Sequence, residues 1–258
     1  MVTKSAALKK APTTASTSVA VKKPSSTSLV SVQAEMQKQI AELANRVAPP
    51  TGVKIRATQD KQFVLPDGTK TPGPLELVIV DFVAVNNFYA GPFDKDNVAP
   101  ADCFAVGTDP KRMHPSANVP NKQADDCQSC PMAQWGSKGK GKACGNARLL
   151  AVLPPDADAD TPLWTLQPSA TAIKAFDSYV SGVARSHQAM PVGVVTTVEF
   201  NPNETFAQMS FGDPKPNPNV GEHFLRQAEA RELLFAERDV TGWVPVKGQV
   251  NKKVAVRR

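Results

Sequence analysis

With 258 residues, 41% of them hydrophobic and 6% aromatic, the chain holds enough apolar material for one ordinary domain with tails and too much for a disordered one. No run approaches the roughly 20 apolar residues of a membrane-spanning helix, and the lysine-bearing N-terminus lacks the apolar centre of a secretion signal. A cytoplasmic protein without a membrane partner is expected, and in that reducing setting cysteines serve as metal ligands rather than disulfides.

The net charge of +6 is concentrated at the ends. Lys4, Lys9, Lys10, Lys22 and Lys23 lie in a stretch of 28 residues without an acid, and Lys247, Lys252, Lys253, Arg257 and Arg258 occupy the last 12. Such ends steer a chain toward a polyanion or simply keep flexible tails solvated. Residues 1–28, rich in Ser, Thr, Ala and Lys, are expected to be a disordered basic tail. Over residues 29–48 Val32, Met36, Ile40, Leu43 and Val47 recur at helical spacing until Pro49-Pro50 ends the run, which predicts an amphipathic helix.

The period then changes to two. Val53–Arg56 and Phe63–Leu65 read as short strands joined by an Asp67-Gly68 turn. Residues 75–89 (LELVIVDFVAVNNFY) form the strongest strand signal, too long to stay flat. From about 90 to 145 the periodicity disappears, and Pro, Asn, Gly, Asp and Lys dominate. Strand signals return at 147–153 and 163–166. Ser169 is placed to cap a helix running to about Ser186, with Ile173, Phe176, Val180 and Val183 on one face. Residues 192–200 and 206–211 read as a paired hairpin, 220–236 as a last helix, and 241–258 as a basic tail.

Strands therefore outnumber helices. The expected fold is mainly β with helices (α+β): an OB-like β-barrel over residues 49–240, interrupted by an insertion at about 90–145, with one helix between strands and flanking N- and C-terminal helices.

All four cysteines, Cys103, Cys127, Cys130 and Cys144, fall in that insertion, spaced C-x23-C-x2-C-x13-C. Two thiolates two residues apart can face one ion from a tight turn, and two more from flanking segments complete a tetrahedron. A structureless connection this long would be out of place in a compact domain unless a metal organised it. Zinc is the first choice. An iron–sulfur cluster takes four thiolates as well, and spacing admits both.

The insertion also carries cations. Lys138, Lys140 and Lys142 alternate with glycines before Cys144, Trp135 stands just ahead of them, and Lys111, Arg112, Lys122 and Arg148 lie nearby. Flexible ammonium groups beside an indole suit phosphates and a stacked base. The alternative for Trp135 is packing beneath the metal site. Lys54 and Arg56 share one face of the first strand, and Phe82, Phe88 and Tyr89 on the long strand are candidates either for base stacking or for the core.

The chain resembles a family of phage-encoded single-stranded DNA-binding proteins. The resemblance runs through Cys103-Phe104, Pro120-Asn121-Lys122-Gln123, Cys127-Gln128-Ser129-Cys130-Pro131, Trp135-Gly136-Ser137 and Gly139–Cys144. It continues into Arg148–Leu153 and 166–180, covering roughly residues 53–240. More loosely it is similar to the helix-destabilising proteins of T-even phages, whose OB core carries a zinc-binding insertion. Those use one histidine and three cysteines and end in an acidic tail that recruits partners, whereas this chain offers four cysteines and a basic end.

The resemblance implies single-stranded DNA as partner, replication or recombination proteins as further partners, and a host-cytoplasmic location. Other expectations remain open: a structural or interaction protein, such as a virion component or polymerase partner, or an iron–sulfur accessory protein of nucleic-acid metabolism. No nucleotide-binding loop, nucleophile elbow or metalloprotease helix is present, and His114, His187 and His223 are scattered, so no enzyme is expected.

Overall fold

The computed structural model describes residues 53–94, 96 and 98–246, together with Met36 and Gln39. The chain divides into two units, Met1–Pro49 and Pro50–Arg258. Of the first, Met36 and Gln39 are helical and exposed. The rest of the 29–48 helix, the tail over 1–28 and the basic residues from 247 onward lie outside the described residues.

The second unit is a mixed α+β structure, mostly sheet and strongly curled, with a few helices. Its strands are β1 (Val53–Ala57), β2 (Phe63–Val64), β3 (Lys70–Thr71), β4 (Leu75–Phe88), β5 (Cys103–Gly107), β6 (Cys144–Leu153), β7 (Trp164–Leu166), β8 (Val194–Phe200) and β9 (Met209–Pro216). Helix α1 (Ile173–Ser186) separates β7 from β8, and α2 (Val220–Leu225) and α3 (Gln227–Phe235) follow β9. The strands pair in the order β3-β2-β1-β7-β6-β4-β8-β9.

Strand β4 is the hub. Along one edge it pairs with β6 from Val78 to Phe88. Its other edge is shared, with β8 on Leu75–Leu77 and β5 on Ala84–Phe88. A register shift between Ile79 and Asp81, and another in β8 between Val195 and Thr197, place irregularities where the sheet must turn. An extra residue on one strand increases local twist and bends the ladder. The sheet curls at these points.

Alternation along β4 and β6 supplies two apolar faces. Ile79, Leu150, Val152, Leu166 and Ile55 build one core with Phe176 of α1 and with Phe63, Val198, Phe200 and Met209. Val83, Val85, Ala147, Ala151 and Leu153 build the other, against Ala230 and Leu234 of α3. The Tyr179 hydroxyl meets the buried Thr196 hydroxyl at 2.8 Å and so ties α1 to β8. Tyr179→Phe is expected to lower the unfolding free energy by about 1 kcal/mol, since the buried Thr196 hydroxyl loses its partner; urea titration followed by tryptophan emission measures it, and an unchanged midpoint would show that the pair adds nothing.

Four expectations need correction. The segment 90–145 is not strandless: Cys103–Gly107 is β5, a short apolar run with no alternation to betray it. Strand β6 starts at Cys144 rather than Ala147, because Gly145 and Asn146, poor strand formers, are held by pairing with Asn87 and Asn86. Ser169 makes no capping bond to the backbone; its hydroxyl meets that of Thr171, and a 3-10 turn over Ala170–Ala172 precedes α1. The last helix breaks at Arg226, whose guanidinium turns to Glu229 and to the carbonyl of Thr161.

The chain after α3 is tied down before it reaches its basic end. Arg238 lies over the Phe104 ring, 4.9 Å from its centre, and donates to Asn87 Oδ1 at 2.6 Å, while Trp243 Nε1 donates to Asp102 Oδ1 at 3.2 Å. The tail expected from 241 therefore begins with an anchored segment.

Candidate metal centre and basic groove

The register of three strands brings the outer two cysteines together. Phe88 of β4 pairs with Cys103 of β5 on one side and with Cys144 of β6 on the other. Residues directly opposite in a sheet point to the same face, so Cys103 and Cys144 flank Phe88 on one side of the sheet. The inner two stand on a tight turn above it. Cys127 N–H donates to the Met113 carbonyl at 3.0 Å, Ser129 N–H donates to Asp126 Oδ2 at 2.8 Å, and Cys130 opens the 3-10 turn Pro131–Ala133.

All four cysteines line one cavity of about 20 Å³, room for a single small occupant. The rest of its wall is uncharged, made by Asn86, Phe88, Phe104, Ala105 and Met132 among others. Among the described residues no three or more His, Cys, Asp or Glu side chains stand at metal-binding separation. What the thiols share is the cavity. Burial first, and the neighbouring thiols Cys130, Cys127 and Cys103 next, push the Cys144 thiol up to about 12. Burial likewise raises Cys127, against the Asn86 side chain, which hydrogen-bonds it, and raises Cys103 against a backbone N–H from Gln123. A soft divalent cation held there would reverse this preference by stabilising thiolate.

From this knuckle the chain runs into a compact arm. Gln134 Nε2 donates back to the Gln128 carbonyl at 2.8 Å. Ser137 Oγ lies 2.7 Å from the Gln134 carbonyl and accepts from Ala143 N–H at 2.8 Å, closing the arm's base. Its tip is a turn over Lys138–Gly141, with Gly141 N–H donating to the Lys138 carbonyl at 3.0 Å. Gly139 takes φ +59° at the first corner, a conformation that costs glycine nothing. The alternating glycines thus serve a defined turn. Trp135 projects from the arm and is 76% exposed.

Beside the arm lies an open groove of about 1050 Å³. Trp135 and Lys142 form one wall, the Cys144–Arg148 stretch of β6 the floor, and Lys174, Asp177, Ser178, Ser181 and Arg185 of α1 the other wall. Arg148 Nε and Nη2 meet both oxygens of Asp177 at 3.0 and 2.7 Å. Among the described residues, Lys142, Lys174 and Arg185 have no carboxylate within ion-pair distance, so the groove is basic.

The structure thus unites Trp135, Lys142 and Arg148, though the charge of Arg148 is taken up by Asp177. Lys138 and Lys140 sit exposed on the arm tip. Lys111 and Arg112 are exposed next to Pro110 of the groove rim, with Arg112 3.8 Å from Asp109, and Lys122 pairs with Asp125 at 2.7 Å. Lys54 and Arg56 alternate with Ile55, which pairs with Leu166 and through it with Leu150 in the α1-side core, and so point to the opposite face. There Lys54 loses basicity to partial burial, then to Arg238 and Arg56.

The aromatic expectations are corrected in part. Phe82 packs edge-on against Phe176 with centroids 5.0 Å apart, and Phe88 is buried as a wall of the cysteine cavity, so neither offers a face to a base. Tyr89 is 53% exposed but does not line the groove. Sequence reading missed Lys174 and Arg185. The only signal was their place on the polar side of a helix whose other side was apolar, which is where most solvated lysines also sit. No known family, no curated protein and no solved structure matches the chain.

Proposed function

We propose that this chain is a sequence-tolerant single-stranded DNA-binding protein of phage replication or recombination, an OB-like barrel carrying a structural zinc, with no catalytic role. The observation that carries the reading is the exposed Trp135 at the edge of a basic groove, next to a cavity lined by four thiols. An indole stacks on any base, and unpaired ammonium groups displace counterions from any phosphate backbone, so affinity without sequence preference follows. A zinc ion would be held by Cys103, Cys127, Cys130 and Cys144 and would supply cross-linking charge rather than chemistry. Its position at the base of the arm would fix Trp135 relative to β6. The curled sheet with a helix between two of its strands supports the barrel reading.

The test is anisotropy of a dye-labelled oligo(dT) against a duplex of equal length, at about 50 and about 200 mM salt. The single strand should bind more tightly than the duplex and weaken steeply with salt. Equal affinity for both, or no salt dependence, would overturn the reading in favour of an interaction protein.

A further inference from the structure

The groove has a second wall that the arm's residues do not explain. On α1, Lys174, Ser178, Ser181, Gly182 and Arg185 are spaced so that they share one stripe, and all line the groove. The opposite stripe, Phe176 and Val183 with Tyr179 and Val180 beside them, is packed into the core, so the helix cannot rotate to hide its cations. Along that stripe the residues between the two cations are small, and the space above Gly182 is open. Lys174 and Arg185 are eleven residues apart, about 16 Å along the helix axis. A track of two cations at its ends and hydroxyls between them fits a polymer of negative charge lying along the helix.

One acid interrupts this wall. Asp177 faces the groove from the middle of α1, and the bidentate contact with Arg148 ties it to the floor. The Arg148 side chain is only 11% exposed while Asp177 is 45% exposed, so the guanidinium lies beneath its carboxylate. Each cancels the other's charge at the groove's centre.

Resting on the reading above, we infer that α1 is the wall that takes the phosphodiester backbone, with Lys174 and Arg185 as the phosphate contacts and Trp135 opposite them taking bases. Asp177 restrains the affinity by occupying Arg148, which would otherwise be a third cation in the track.

The experiment measures the salt dependence of oligo(dT) binding for the wild type, a Lys174→Gln/Arg185→Gln double variant, Asp177→Asn and Trp135→Ala. Each phosphate contact on a single strand contributes about −0.7 to the slope of log K against log salt. The double variant should bind more weakly with a slope shallower by about 1.4, and Asp177→Asn should bind more tightly with a slope steeper by about 0.7. A gain on removing Asp177 is not what a merely damaged fold produces. If the double variant keeps its slope and affinity while Trp135→Ala loses binding, the DNA runs elsewhere and the inference falls although the function stands. If wild type shows no single-strand preference, the functional reading falls and takes this one with it. Displacement of oligo(dT) by poly-glutamate at equal charge concentration would make α1 a docking face for an acidic protein, and overturn the inference.

Discussion

A Cys127→Ser variant is expected to purify without zinc and to lose the order of the arm. Serine is not ionised near neutral pH, so the proposed zinc site loses one of its four anionic ligands. Structural zinc sites in small peptides are worth about 10–16 kcal/mol, comparable to the whole stability of an ordinary domain at about 5–15 kcal/mol. The loss should be local. The cores around Leu150 and Leu153 are assembled by β4, β6, α1 and α3 without any thiol, whereas the knuckle at Cys127–Cys130 rests on a few hydrogen bonds over a small cavity. Trypsin reports the difference, because Lys138, Lys140 and Lys142 lie on the arm. Cleavage there should accelerate in the variant, and in wild type treated with a chelator, while far-UV circular dichroism keeps its sheet signal. Wild-type protein that carries no metal by elemental analysis would sink the zinc site, and a brown preparation with visible absorbance would replace it with an iron–sulfur cluster.

Trp135→Ala should weaken oligo(dT) binding by about 5- to 150-fold, the range that about 1–3 kcal/mol of base stacking implies. The salt slope should not move, since no charge is removed. Trp135→Phe should recover much of the loss, because a smaller ring still stacks. Trp164 and Trp243 are half-buried, so quenching of tryptophan emission on binding should come mainly from Trp135 and shrink in the alanine variant. An alanine variant that binds as tightly as wild type would remove the platform from the mechanism.

The groove explains why single residues were poor guides here. The Lys-Gly run looked like a loose arm, yet Gly136 and Gly139 serve two positive-φ corners of a hydrogen-bonded turn. Arg148, expected among the DNA contacts, is the inner partner of a bidentate pair. Phe82 and Phe88 were equally compatible with core and platform, since period two assigns residues to faces but does not say which face is covered. The helix at α1 and the core beneath it covered the one, and the insertion covered the other.

Read alone, the sequence determined the local matters: the long bent strand over 75–89, the return of strands after the cysteines, the amphipathic helix ending at Ser186, and the four thiols in one polar segment. Those follow from periodicity and residue type, which act over a few neighbours. Only the tertiary structure decided that Cys103 and Cys144 flank Phe88, that Lys54 and Arg56 face away from Trp135, and that Lys174 and Arg185 come opposite the arm. Strand order and register settle such pairings. Each depends on contacts between residues far apart in the chain, whose closure is favourable only when the whole sheet forms around β4.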